Sequence, residues 1–254
     1  MNRIVFNADD YGLTQGVCDG ILSASEGVVA STTVLANLVT QDQLQALMAT
    51  PVTAGIHLNI SLGWPLCSGY PQRLLDNDGR FNKALALDPD TWRDSTLREA
   101  VALEWTAQYE LLQRRNLAVT HIDSHHHTHL HPLLFPMALE MAKGLELPLR
   151  CRREFRSLAE PAGLAGPEVL LEAYFGAANI SRERLLAMLQ VYRGKDVEVM
   201  CHPGCVDADL RLISSYVDER AAELGVLGDP DLRHALEDAG WTVCGYVQSA
   251  QSPA

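Results

Sequence analysis

Basic residues are scarce in this sequence. Its 20 lysines and arginines face 32 aspartates and glutamates, which leaves a formal charge of −12 and a pI near 5.1. A nucleic-acid surface shows a basic face, so this balance argues against that partner and against an anionic membrane. A neutral substrate such as a sugar stays open. Long apolar runs are missing too. None approaches the ~20 residues that cross a bilayer. Ile4-Val5-Phe6, followed at once by acidic residues, is too short for the apolar part of a secretory leader. The chain is therefore expected to be cytoplasmic. The six cysteines are scattered. The nearest pair, Cys201 and Cys205, has C-x-x-x-C spacing rather than the redox C-x-x-C, so buried free thiols are expected. No G-x-G-x-x-G follows the first strand-like run, which weakens a dinucleotide-binding reading. No repeat, low-complexity tract or linker divides the 254 residues.

Apolar residues make up 47% of the chain, ample for one core. Strand-like runs are Arg3–Ala8, Ser31–Leu38, Ala54–Ile60, Leu117–Asp123, Leu147–Cys151, Val197–Met200 and Trp241–Val247. Helical spacing alternates with them. It covers Val17–Glu26, closed by Gly27, then Gln41–Met48, then a helix opened by the capping box Thr96-x-x-Glu99 with the apolar stripe Leu97, Val101, Trp105 and Leu112. Further helices are expected over Pro132–Lys143, Arg182–Tyr192 with Ser181 as cap, Ser214–Leu224, and from Asp229-Pro230 to Ala239. Strand followed by helix, about seven times, points to a parallel α/β sheet. Two stretches, 61–94 and 152–179, lose periodicity and carry clustered glycine and proline, as functional loops or lids do. Polar clusters recur just after strands. In a β/α barrel those positions share the carboxyl-end rim where active sites lie, and a doubly wound open sheet uses the same ends.

The densest signal is His121-Ile122-Asp123-Ser124-His125-His126-His127-Thr128-His129-Leu130-His131, which holds six of the nine histidines. Neutral imidazole is the commonest protein ligand for a divalent metal. The run lies mid-chain between a strand and a helix, unlike a terminal affinity tag, and reads as a metal site. A catalytic ion takes about three protein ligands and keeps a position open for water. One or two of these histidines therefore bind, and the rest orient substrate or support the ligands. Were the run extended, His125, His127 and His129 would project one way and His126 the other. Spacing alone does not choose among them.

Asp9 and Asp10 follow the first strand. Neighbours on a strand point to opposite faces, so both reach one site only if the strand breaks, and Tyr11-Gly12 supplies a break. One carboxylate suits a metal and the other a proton. His57 ends an apolar strand, where a core histidine or a ligand is expected. His202 ends another, held extended by Pro203, and is a candidate general acid. Arg150 suits a sugar hydroxyl, a neighbouring carboxylate or plain solvent. Trp64, Tyr70, Tyr174 and Phe175 are candidates to stack on sugar rings, or to pack a core or lid.

Asn7-Ala8-Asp9-Asp10-Tyr11-Gly12, Gly55-Ile56-His57-Leu58-Asn59, the segment Thr120 to His129 and Val199-Met200-Cys201-His202-Pro203-Gly204 resemble the signature segments of the YdjC family. That family includes the ChbG-type chitooligosaccharide (chitin disaccharide) deacetylases. The resemblance runs from Arg3 to about Val247. It implies an α/β fold: a distorted (β/α) barrel with about seven parallel strands, related in architecture to NodB-type polysaccharide deacetylases. It also implies one metal-dependent deacetylase domain over residues 1–254. One divalent ion per chain, usually magnesium, would be held by Asp10, His57 and His125; zinc or cobalt suits the set as well, and ligand softness alone favours zinc. Asp9 would be the base and His202 the acid. Arg150, Trp64 and Tyr174 stand as substrate-binding candidates, a small N-acetylated saccharide as substrate, and a homodimer as a family-level expectation. Tyr11 replaces a phenylalanine common in the family. The two irregular stretches, where members diverge most, leave the sugar open. Two rival readings are a metal phosphoesterase, which would show two or three metals and a basic clamp, and a non-catalytic sugar- or metal-binding partner.

Overall fold

The computed structural model describes residues 2–164 and 166–246. Seven strands form one parallel sheet in the order β4-β3-β2-β1-β6-β5, with β7 beside the start of β1. They are β1 (Arg3–Tyr11), β2 (Ser31–Val34), β3 (Thr53–Leu58), β4 (Val119–Ser124), β5 (Val169–Leu171), β6 (Val197–Cys201) and β7 (Thr242–Val243). Helices α1 (Gln15–Ala24), α2 (Gln41–Met48), α4 (Ser95–Arg114), α5 (Phe135–Leu145), α7 (Arg182–Gln190) and α10 (Pro230–Asp238) link them, with short α3 (Lys83–Leu87) and α6 (Arg156–Ala159) inside the two irregular stretches. Between β6 and α10 lie α8 (Ala208–Ile213) and α9 (Asp218–Leu227).

Alternation along β1 shows how the sheet divides the chain. Ile4, Phe6 and Ala8 belong to the large apolar core with α1 residues Val17, Ile21 and Ala24. Val5 faces the opposite way, beside Cys244 and Tyr246, and Asn7 and Asp9 follow it onto the concave face. That concave interior is polar: Asn7, Thr33, His57, His121, Asp123, Arg150 and Glu198 are all buried. Buried polar groups require partners, so the interior is a hydrogen-bonded network rather than a packed apolar barrel.

Caps explain most helix starts. Thr14, Ser181 and Asp229 each accept from a backbone N–H of the first turn, and Thr40 with Gln43 closes a capping box. The box expected at Thr96 does not form. Asp94 caps α4 instead, accepting the backbone N–H of Thr96, which therefore lies inside the first turn rather than at the cap. The stripe Leu97, Val101, Trp105 and Leu112 is buried as expected. Leu147–Cys151 makes only one bridge, Ile122 to Leu149, because Pro148 cannot donate and Leu149 N–H turns to Leu164 O. Strand β5 lies inside the stretch expected to be irregular. The helix expected over Ser214–Leu224 begins only at Asp218: α8 ends at Ile213, and residues 214–217 turn between the two helices, where the Ser214 hydroxyl accepts Tyr216 N–H. The last strand is shorter than Trp241–Val247, and Val247 lies outside the described residues.

Gly55, on β3, faces His121. A Cβ there would fall 2.5 Å from the His121 ring. That ring is pinned by Thr120, by Asn7 and by a parallel stack on Tyr246 at 3.8 Å. It cannot move aside, so Gly55→Ala is expected to destabilise the fold by about 1–3 kcal/mol, read as a lower urea midpoint. An unchanged midpoint would show that the interior is slack.

Candidate active site

Arg150 sits at the centre of the concave face with no solvent exposure. Its Nη1 and Nη2 donate to the two oxygens of Asp9, each at 2.7 Å, and Nε donates to Glu198 Oε1 at 2.7 Å. Nη1 also lies 2.9 Å from Asp123 Oδ2. One guanidinium thus serves carboxylates from β1, β4 and β6. Burial works to raise Asp9, but Arg150 outweighs it and holds that carboxyl well below the usual range. The excess negative charge remains on the network, and burial pushes Glu198 up to about 7 despite Arg150.

Asp10 has φ +77°, left-handed and uncommon for a residue other than glycine. The register of β1 on β2 shifts between Ala8 and Tyr11 at this point. The expected break therefore falls at Asp10 itself, one residue before Tyr11-Gly12, and it turns two successive carboxylates into the same cavity. Asp10 Oδ1 lies 2.8 Å from His125 Nδ1 and 3.2 Å from His57 Nε2. Arg220 Nη2 donates to the other oxygen at 2.6 Å. His57 Nδ1 lies 2.6 Å from Asp123 Oδ1, and the Thr33 hydroxyl donates to Asp123 Oδ2.

The chemistry of that donor set fits a cation. With Nδ1–H given to Asp123, neutral His57 turns its Nε2 lone pair toward a carboxylate oxygen. Two acceptors facing each other need a proton or a metal ion between them. Burial opposes charging His57, but Asp123, Asp10 and Asp9 outweigh it and push it up to about 10. The ligand atoms of Asp10, His57 and His125 all lie within 4.8 Å of one another. Two imidazole nitrogens and one carboxylate oxygen, bordering the cavity, could thus hold a metal ion with a side open to it.

The histidine run is not extended. After His125 the chain makes two tight turns, with left-handed φ of +54° at both His126 and His127. Alternation therefore does not apply, and each imidazole takes a separate task. His121 is buried against Asn7 and Tyr246. His129 is buried between the Ser124 hydroxyl and Arg150 O. His131 Nδ1 accepts Leu133 N–H outside the site. His127 Nε2 lies 3.1 Å from Met200 Sδ and 3.2 Å from Glu172. Only His125, His126 and His127 of the six line the cavity, whose volume is about 600 Å3.

His202 forms part of the opposite wall, edge-on to both Phe175 and Tyr216, which stack on each other at 4.2 Å. Its backbone N–H donates to Glu223, whose other oxygen accepts the Tyr216 hydroxyl at 2.6 Å. Gly176 N–H donates to that same hydroxyl. Burial pushes His202 down to about 4, against the pull of Asp9 and Asp10.

Asp9, Asp10, His57, His125 and His202, distant in sequence, all border this one cavity. The substrate-binding candidates fare differently. Arg150 is sealed under Asp9, so of the tasks open to it only steadying carboxylates remains. Tyr174 is fully buried, and its neighbour Phe175, 45% exposed, lines the cavity instead. Trp64 is 54% exposed under the Arg80 guanidinium, outside the cavity wall. Tyr70 is buried edge-on to Phe81. Sequence reasoning passed over Ser61, Glu198, Tyr216 and Arg220. Glu198 alone left a signal, a single charge within the apolar strand run Val197–Met200.

A curled parallel sheet with a polar concave face and a carboxyl-end cavity defines the class: a distorted (β/α) barrel. A CE4 esterase from Streptococcus mutans shares that fold, with a TM-score of 0.55 at 15% identity over 96% of this chain and 85% of that one. Residues 3–238 match the YdjC-like protein family, and the chain belongs to it. A protein of Listeria welshimeri serovar 6b named carbohydrate deacetylase is 34% identical over 239 residues, covering 92% of this chain and 94% of its own length. An Enterococcus faecalis protein named for cellobiose-phosphate cleavage is similar in structure, with a TM-score of 0.83 and 28% identity over 98% of this chain and 99% of that one.

Replacing Arg150 with methionine keeps much of its volume but strands three buried carboxylates. Removing one partner of a buried ion pair costs about 3–5 kcal/mol. Arg150→Met is therefore expected to lose at least that much stability at neutral pH in urea unfolding. The loss should shrink at pH 5, where the stranded carboxylates protonate. Equal losses at both pH values would show that the ion pairs are not what Arg150 supplies.

Proposed function

We propose that this chain is a metal-dependent hydrolase that removes the N-acetyl group from a small N-acetylated saccharide. The observation that carries the reading is the meeting of Asp10, His57 and His125 as three convergent ligand atoms, beside an ionised Asp9, at a cavity of sugar-accommodating size. The name carbohydrate deacetylase borne by the relatives supports it.

Asp10, His57 and His125 would hold one divalent ion, magnesium on the family resemblance, although two imidazoles suit zinc or cobalt as well. Bound there, the ion would polarise an amide carbonyl and make water a stronger nucleophile. The chain's own residues supply the rest. Arg150 keeps Asp9 ionised, so Asp9 orients the attacking water and draws off its proton. His202 is neutral at rest because of its burial. It therefore gives the departing amine a proton that it has first received, the one Asp9 draws from the attacking water, so that Asp9 ends the cycle ionised and His202 neutral. Phe175 offers an exposed aromatic face on the cavity wall for the apolar side of a sugar ring.

General acid–base help of this kind is worth about a hundred- to ten-thousandfold. Asp9→Asn is expected to lower turnover by such a factor with the ion still bound, whereas His57→Ala and His125→Ala lose both ion and turnover. The deciding assay follows acetate release from a panel of N-acetylated mono- and disaccharides with different added metals. No acetate from any of them would overturn this reading, and phosphate release from phosphate esters would replace it with the phosphoesterase one.

The carboxylates around His57 also set a pH dependence. A proton held on His57 up to about pH 10 competes with the ion. As pH rises toward that value the competition weakens, so affinity grows, by about tenfold per pH unit where one proton is displaced. Calorimetry between pH 6 and 8, in buffers of unlike ionisation enthalpy, should read about one proton released per ion bound. Affinity that does not change with pH would mean that His57 is not a ligand.

A further inference from the structure

The histidine run leaves one imidazole with no role in holding the ion and none in the fold. His126 is exposed on the cavity wall, and its ring lies 4.0 Å from that of His125. Its backbone is left-handed, as is that of His127 after it. Such a backbone is strained and persists where the surroundings over-determine it.

A hydrogen bond fixes which nitrogen of His126 carries its proton. Ser61 Oγ lies 2.8 Å from His126 Nδ1. Ser61 has one other acceptor nearby, Asn59 Oδ1 at 3.5 Å, and that oxygen already accepts the backbone N–H groups of Ser61 and Leu62 at 3.0 and 3.1 Å. The hydroxyl proton therefore goes to His126 Nδ1. Nδ1 is then the acceptor, and the neutral ring carries its hydrogen on Nε2. Ser61 itself is rigid. Asn59 is anchored by Gln108 of α4 through both its N–H and its C=O, at 2.9 and 2.6 Å, and the Asn59 side chain donates to Leu62 O. The relay Gln108–Asn59–Ser61–His126 thus runs from the buried face of α4 to the cavity.

We propose that His126 is a catalytic residue of the deacetylation, its Nε2–H donating to the carbonyl oxygen of the bound acetyl group and to the oxyanion that replaces it, with Ser61 as the positioning residue that fixes the tautomer. This rests on the deacetylase reading above. A preorganised neutral donor beside the cation site strengthens as negative charge gathers on that oxygen, which lowers the barrier without transferring a proton.

Three variants test it, on the full-length chain with added divalent metal and N,N′-diacetylchitobiose as probe. His126→Phe keeps a ring beside His125 but removes the donor. It is expected to lower kcat by about a hundredfold, the usual loss for one such donor, with KM changed by no more than a few-fold and metal affinity unchanged by calorimetry. His126→Gln, which restores a side-chain N–H, should recover part of that loss. Ser61→Ala frees the tautomer and should lower kcat less than His126→Phe does. Added to His126→Phe, it should lower kcat no further, because the two act as one unit. Wild-type kcat in His126→Phe, a parallel loss of metal affinity, or an undiminished Ser61→Ala effect in the His126→Phe background would each overturn the proposal. If the wild-type chain itself releases no acetate from any sugar, the deacetylase reading is what fails.

Discussion

One guanidinium holds the interior together. A parallel sheet curled toward its carboxyl end usually fills its concave side with branched apolar residues. Here that side carries three carboxylates, and Arg150 makes their burial tolerable by donating to Asp9 and Glu198 and lying within ion-pair distance of Asp123. A buried ion pair often contributes little net stability, because desolvation offsets the attraction. What it contributes here is position. Asp9 is bound through both oxygens, so its plane is set by a planar fork and has no rotameric freedom left. Asp123, steadied by Arg150 and by Thr33, in turn sets the ring of His57. The network beneath the cavity therefore determines the geometry at its floor.

Backbone strain is concentrated at the same place. Of the five non-glycine residues with left-handed φ among the described residues, three, Asp10, His126 and His127, line the cavity. Regular strand geometry would send Asp9 and Asp10 to opposite faces, and a regular helix after His125 would spread its imidazoles around a cylinder. Both departures bring polar side chains to one point that periodic structure would keep apart. The strain is held by hydrogen bonds that relaxation would break: Leu35 N–H to Tyr11 O after Asp10, and His129 N–H to the Ser124 hydroxyl after the histidine turns.

This concentration also decides what could be read in the sequence. Strand–helix alternation announced the parallel sheet, and the polar residues closing each strand announced the rim, because both follow from local periodicity. The caps at Ser181 and Asp229 were equally local. The tasks of individual histidines were not, since they depend on two successive left-handed residues, a conformation uncommon outside glycine that no sequence pattern marks here. Nor was the burial of Arg150 legible. Arg150-Cys151-Arg152-Arg153 suits a solvated cluster as well as a contact to a sugar or a carboxylate, and only the return of β6 with Glu198 and of β1 with Asp9 encloses its first member. Tyr174 and Phe175 show the same limit at the scale of one residue. Either ring suits a sugar by composition, and tertiary placement alone buries Tyr174 and presents Phe175.

The interior also bears on how many ions the site takes. Asp9, His57 and Asp123 form a second group whose ligand atoms lie within 4.8 Å of one another, sharing His57 with the first. Two-metal hydrolases place their ions about 3.5–4 Å apart, so a second ion at this group has to be weighed. In this chain the second group already has its cation, because Arg150 Nη1 is 2.7 Å from Asp9 Oδ2 and 2.9 Å from Asp123 Oδ2. A divalent ion at that point would meet a fixed positive charge that cannot be deprotonated, and it would have to displace a proton on His57 Nδ1 as well. Electrostatics therefore favours one ion over two. A single Lewis acid beside an ionised carboxylate suits attack on a neutral amide better than the double clamp that a phosphate ester calls for, and so the charge placed beneath the cavity argues for the reaction proposed within it.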